Sequence, residues 1–130
     1  MFFKIKYIHV LLVFFFFFEL NSKEIECQGA KVRIINKITT EKNFFIMPLS
    51  QTLELDNSKI IIQRCLKVEI DGKEDEIAIL NHIPKSQGNK DEFLGWIFKS
   101  SQYLNLPVNA MYDIRLEECL IEDPIFLKKE

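Results

Sequence analysis

Residues 59–70 read Lys-Ile-Ile-Ile-Gln-Arg-Cys-Leu-Lys-Val-Glu-Ile, and Asp71-Gly72 follows at once. A run this rich in β-branched residues favours the extended chain. Asp-Gly supplies the two left-handed positions that a tight hairpin turn requires. The chain is therefore expected to run out along one strand, turn within two residues, and return along another. Leu66, Val68 and Ile70 fall on one alternating set. Ile60-Ile61-Ile62 breaks the alternation, which implies either burial on both faces or a bulge before Cys65. The return leg is a strand over residues 76–83 carrying Ile77, Ile79 and Ile83. A helix competes there, because Ile77 and Leu80 also fit helical spacing. Pro84 ends either one.

The rest of the chain repeats this punctuation. Residues 30–38 form a strand with Val32, Ile34 and Ile38 on one set. Residues 39–42 are polar and turn-like, and residues 43–47 resume as a strand that Pro48 ends, which gives a first hairpin. Leu53 and Leu55 mark a short third strand over residues 50–55, closed by Asp56-Asn57-Ser58. Residues 84–92 form a solvated loop. Phe93–Phe98 is apolar on both alternating sets, so it reads as a strand buried on both faces, or as a buried helix turn; Gly95 favours the strand. Residues 100–109 form a connection, extended at Leu106-Pro107. Residues 111–118 alternate, with Tyr112, Ile114 and Leu116 on one face and Asp113, Arg115 and Glu117 on the other, as in a half-buried strand. Trp96 and Tyr112 are expected in or near one core. Six to eight short strands joined by turns predict an all-β domain, a small antiparallel β-sandwich or barrel, over residues 30–120. A polar lead-in (23–29) precedes it, and a fraying tail (121–130) follows.

Gly95-Trp96-Ile97-Phe98, Ser100-Ser101, Tyr112-Asp113-Ile114 and Cys119 together resemble the closing signature of a proteobacterial envelope family known as domain of unknown function family 2155. Lys37-x-Thr39 and Ile62-Gln63-Arg64-Cys65 fit the same pattern. The resemblance covers residues 32–120. It implies an exported β domain and carries no activity with it. The chain departs from the family pattern at Asn109-Ala110, at Arg115 and at Glu41-Lys42, so no site built on the family's residues there carries over.

The N-terminus sets the expected compartment. Lys4 and Lys6 precede an apolar run over residues 7–18 that ends in five Phe, and Leu20-Asn21-Ser22 offers a small-residue cleavage point. That is the build of a secretory signal peptide over residues 1–22. The run is shorter than the roughly 18–20 residues a membrane span needs. The alternative is a retained inner-membrane anchor through residues 7–18, and only that alternative brings a membrane into contact. Removing residues 1–22 takes Lys4, Lys6 and Glu19 from 17 basic and 19 acidic residues, leaving 15 and 18, a net charge of −3. Mildly acidic and interspersed, that charge offers no stripe for nucleic acid and no polybasic cluster for anionic lipid.

An exported protein meets an oxidising compartment, where cysteines pair. Cys65 and Cys119 each lie near a strand end, and they are the expected disulfide. Period two carried along each strand places both with the more polar sets, near the surface. Cys27 is then the odd thiol. His82 is the one His after residue 22, and it reads as an exposed or capping residue, since no metal-ligand spacing surrounds it. No metal or cofactor is expected. Trp96, Tyr112, Asp113 and Arg115 are the residues of a possible binding surface, with Asp113 and Arg115 placed to pair on one face. The expected function is that of a periplasmic or secreted, non-enzymatic interaction or structural component of the cell envelope, with an envelope protein or a glycan as partner. The alternative is an envelope hydrolase or carbohydrate-binding module using Asp113 and the neighbouring acids.

Overall fold

The computed structural model describes residues 10, 13, 22–85, 92–101 and 111–130. Most of residues 1–21, where a signal peptide is expected, the loop tip 86–91 and the connection 102–110, with Leu106-Pro107 and Asn109-Ala110, lie outside the described residues. Nine strands are described: β1 Ser22–Glu26, β2 Gly29–Asn36, β3 Lys42–Pro48, β4 Thr52–Glu54, β5 Ser58–Ile70, β6 Lys73–Pro84, β7 Phe93–Phe98, β8 Tyr112–Leu120 and β9 Lys128–Lys129. They form two antiparallel sheets that do not close into a barrel. Sheet A runs β1-β5-β6-β7, with β4 beside β5; sheet B runs β8-β2-β3-β9. Seven of the nine, β2 to β8, make up the expected six to eight of the domain, and the other two come from the flanks. The lead-in pairs with β5, and the tail pairs with β3 at Phe45 and Ile46. Contrary to expectation, the tail is anchored: Leu127 packs on the core, and Lys31 meets Glu130 at 2.7 Å.

The β5–β6 hairpin is the longest element, and residues 76–83 are strand throughout. Asp71 and Gly72 both take left-handed φ, +52° and +78°, as the two-residue turn demands. The first hairpin turns earlier than its apolar pattern implied. The Asn36 side chain accepts the N–H groups of Ile38 and Thr39, which ends β2 and leaves Ile38 exposed in the turn.

Each of the two strands bearing a paired cysteine contains a bulge. On β5 the register to β6 shifts between Ile62 and Arg64, so Gln63 has no partner. On β8 the register to β2 passes from Leu116 to Glu118, so Glu117 is the extra residue. A bulge adds one residue and reverses which face the following side chains occupy. Cys65 and Cys119, expected near the surface, therefore point inward, and each is 1% exposed. Their disulfide ties sheet A to sheet B through the core, with the Cα atoms 5.6 Å apart. The bulge before Cys65 thus falls at Gln63; across the Ile triplet itself the register is regular, with Ile60 and Ile62 buried and Ile61 half-buried on the other face.

Cys27 sits where the chain changes sheets. Its N–H donates to the Cys65 carbonyl at 2.9 Å, and the next N–H, of Gln28, donates to the Leu120 carbonyl of sheet B at 2.8 Å. The Cys27 thiol is free and buried. Burial pushes its pKa above the ordinary thiol value, against the lowering effect of the Lys67 backbone N–H. His82 is also buried, at 1% exposure, contrary to the exposed or capping reading. It follows Ala78 and Leu80 on the inward set of β6.

Candidate functional site

In an antiparallel sheet with one face on the core, the other face is normally polar. Sheet B obeys this rule. Its outer face carries Asp113–Arg115 at 2.9 Å, Arg33–Glu117 at 3.4 Å, and the Lys31 and Lys42 ammonium groups over the Phe44 ring. Sheet A does not. Ala78, Leu80 and Ile97 face the core, so Ile77, Ile79, Leu94, Trp96 and Phe98 face outward. The bulge at Gln63 turns Leu66 and Val68 to the same side. Register then lines up Leu66, Ile77 and Phe98 across β5, β6 and β7, with Ile79 and Trp96 in the adjoining row. Leu66 is only 4% exposed although it lies outside the sandwich, because its neighbours on this face wall it in. Arg64 and Glu26, paired at 2.6 Å, border the patch. A contiguous apolar face with a charged border is the usual build of an interaction site.

The opposite, inward side of the same hairpin holds a second feature. The hairpin overhangs sheet B and leaves a cleft of about 630 Å³ lined by Lys23, Ile25, Lys67, Glu69, Glu76 and Lys99, with Glu118 of β8 among them. Glu76 is its hub. One carboxylate oxygen accepts from Lys99 Nζ at 2.7 Å; the other accepts the Cys119 backbone N–H at 2.9 Å and lies 3.5 Å from Lys67 Nζ. Burial alone would raise the Glu76 pKa. The hydrogen bonds from Lys99 and Cys119, with the charge of Lys67, outweigh it and hold the carboxyl below its usual range. The same contact pushes Lys99 up. Both Glu76 oxygens are engaged, so the group acts as a clamp fastening the hairpin to the disulfide-bearing strand. The inward set Ala78, Leu80 and His82, carried back two residues, lands on Glu76; that is the sequence signal for a buried, partnered carboxylate.

The four residues expected on one binding surface are divided among three places. Trp96 lies half-buried on the outer face of sheet A, outside the core it was expected to share. Tyr112 is in the core, because the inner set of β8 points at sheet A. Asp113 and Arg115 form their ion pair on the far side of sheet B. Sequence reasoning missed Leu66 and Ile77 as neighbours of Trp96, because the phase reset at Gln63 decides which side Leu66 occupies. Among the described residues, no group of three or more His, Cys, Asp or Glu is placed to hold a metal ion.

No curated protein and no solved structure matches the chain significantly. The sequence model of one family matches residues 30–119, from β2 through Cys119, and so spans both cysteines of the disulfide and Trp96. The chain belongs to that family, described as an uncharacterized protein conserved in bacteria (DUF2155).

Proposed function

We propose that this protein is exported to the bacterial cell envelope and acts there as a non-enzymatic interaction component, meeting its partner through the outer face of sheet A around Trp96. The observation that carries the reading is that face: Leu66, Ile77, Ile79, Trp96 and Phe98 in register on the outward side of an antiparallel sheet. The basic residues before the apolar run 7–18 support export. The disulfide adds support, since such bonds persist in oxidising compartments. The partner is an envelope protein with an apolar patch of its own. Asp113 stays bound to Arg115 on the other sheet, and no observation favours the hydrolase alternative.

Site-specific photocrosslinking in cells tests this. A photoreactive residue at position 96 is expected to give a discrete adduct identifiable by peptide sequencing, while the same residue at position 115 gives none. Equal labelling at both positions, or none at 96, would contradict the reading.

A further inference from the structure

The chain's three cysteines meet in one part of the core. The Cys27 N–H donates to the Cys65 carbonyl at 2.9 Å. That bond continues the β1–β5 register by one step, from Glu26 opposite Leu66 to Cys27 opposite Cys65. Directly opposed residues send their side chains to the same face of a sheet. Here that face is the inward one, since Cys27 is 2% exposed and Cys65 1%. Cys65 is in turn bonded to Cys119. A buried free thiol therefore stands one strand away from a buried disulfide.

The spacing fits a second disulfide. An opposed pair of this hydrogen-bonded kind has its Cα atoms about 5.5 Å apart, and disulfides span roughly 4.4–6.8 Å. The present bond spans 5.6 Å. Cys119 offers Cys27 no such match, because it lies opposite Ala30 on β2, three residues beyond Cys27. The Cys27 sulfur rests 3.8 Å from the Ile25 carbonyl, and one rotation about its Cα–Cβ bond turns it from there toward Cys65. The new bond joins strands that are already neighbours, so both sheets keep their register.

We propose that Cys27 is the exchange partner of the core disulfide. Its thiolate attacks the Cys65 sulfur, a Cys27–Cys65 bond forms, the Cys65–Cys119 bond breaks, and Cys119 leaves as the new free thiol. The proton lost by Cys27 ends on Cys119. No electron is gained or lost overall, so the step needs no outside oxidant or reductant. The domain then has two covalent states. In one, the disulfide ties sheet A to sheet B; in the other, it ties β1 to β5 and the cross-link between the sheets is gone. Burial raises the Cys27 pKa, against the Lys67 N–H and ammonium and helped by the Glu76 charge. Little thiolate is therefore present at neutral pH, and the exchange is slow.

Thiol trapping in the full oxidised chain tests this. The folded protein is held for several hours, the timescale of uncatalysed disulfide rearrangement. It is then quenched in acid, unfolded, blocked with a maleimide and mapped without reduction. The expected result is blocking mostly at Cys27, with a minor fraction, on the order of 0.1–10%, blocked at Cys119 together with a Cys27–Cys65 peptide. Cys119→Ala, folded and then oxidised with glutathione disulfide, should form the Cys27–Cys65 cross-link. Blocking at Cys27 alone at every time would overturn the exchange. So would a Cys27–Cys119 peptide in place of Cys27–Cys65, or a folded Cys119→Ala variant whose two thiols stay uncross-linked. If Cys119→Ala does not fold, the wild-type trapping decides. Cys119 adducts that persist in Cys27→Ala come from incomplete oxidation and would also overturn it.

Discussion

Replacing Cys65 and Cys119 together by Ala opens a cross-link between residues 54 apart in sequence. In the chain-entropy treatment, a closed loop of that length stabilises the folded state by about 4 kcal/mol at 25 °C. Total stabilities of single domains are of order 5–15 kcal/mol, so this one bond decides whether the domain stays folded under mild stress. Two features of the site push the same way. Both sulfurs are buried, so their removal leaves small voids in the core. Both also lie between the sheets, so the bond is a covalent tie across the core between layers otherwise joined by side-chain packing, the connecting segments and a few hydrogen bonds such as that of Glu76 to the Cys119 N–H. Urea titration of the oxidised protein and of the double variant, with linear extrapolation, gives the difference directly. The variant should lose at least about 4 kcal/mol, and its urea dependence should steepen as the freed denatured chain expands. A loss below about 1 kcal/mol would refute the reasoning, because it would mean that the denatured chain gains no freedom when the link is removed.

Three further predictions concern the hairpin and the tail. Glu76→Gln keeps an acceptor for the Cys119 N–H but removes the carboxylate that pairs directly with Lys67 and Lys99; it should cost about 1–3 kcal/mol at neutral pH. Because the Glu76 pKa is depressed, its stabilisation is present above the ordinary value of 4.5 and is lost as pH falls through the folded value. Glu76→Gln should remove that acid-labile increment in urea titrations taken from pH 6 down to 3. Burial holds the His82 pKa below 6.5. The unfolded chain then gains a proton before the folded one, so stability should begin to fall as pH drops below about 6.5, at no more than about 1.4 kcal/mol per pH unit. His82→Leu should flatten that part of the profile, and an unchanged slope would mean that His82 is not the group responsible. A Cβ at Gly29 would lie 2.8 Å from Pro124 Cδ and 2.9 Å from the Met47 carbonyl oxygen. Gly29→Ala should cost roughly 1–3 kcal/mol and loosen the C-terminal segment, seen as faster amide exchange near residue 125.

Much of the architecture was legible in the sequence because it rests on local chemistry. Asp71-Gly72 sets the central hairpin. Pro48 and Pro84 mark strand ends, and the alternation around Ile114 and Leu116 gives the inner face of β8. The candidate surface was half legible. Trp96 stood out, but its neighbours depend on Gln63, and nothing in the composition of a bulged residue announces that it has lost its partner. The same limit misplaced both cysteines, because strict period two sends them outward whereas two one-residue bulges send them in. His82 looked like a surface group because polar residues usually are, and Glu76 drew no reading beyond the start of a strand; only the inward phase of Ala78 and Leu80 reveals that both are buried. The tail could not be read as structured, because two Lys residues carry no strand signal and its order comes from tertiary contacts at Gly29, Phe45 and Lys31.

The central claim, an exported and cross-linked domain, is tested most directly by one intact mass with a peptide map. The protein is taken from its native envelope, unreduced and with free thiols blocked. The account predicts a chain starting near Lys23, a Cys65–Cys119 cross-linked peptide, and one blocked thiol at Cys27 once the chain is unfolded. A chain retaining residues 1–22, with all three cysteines blocked, would contradict it.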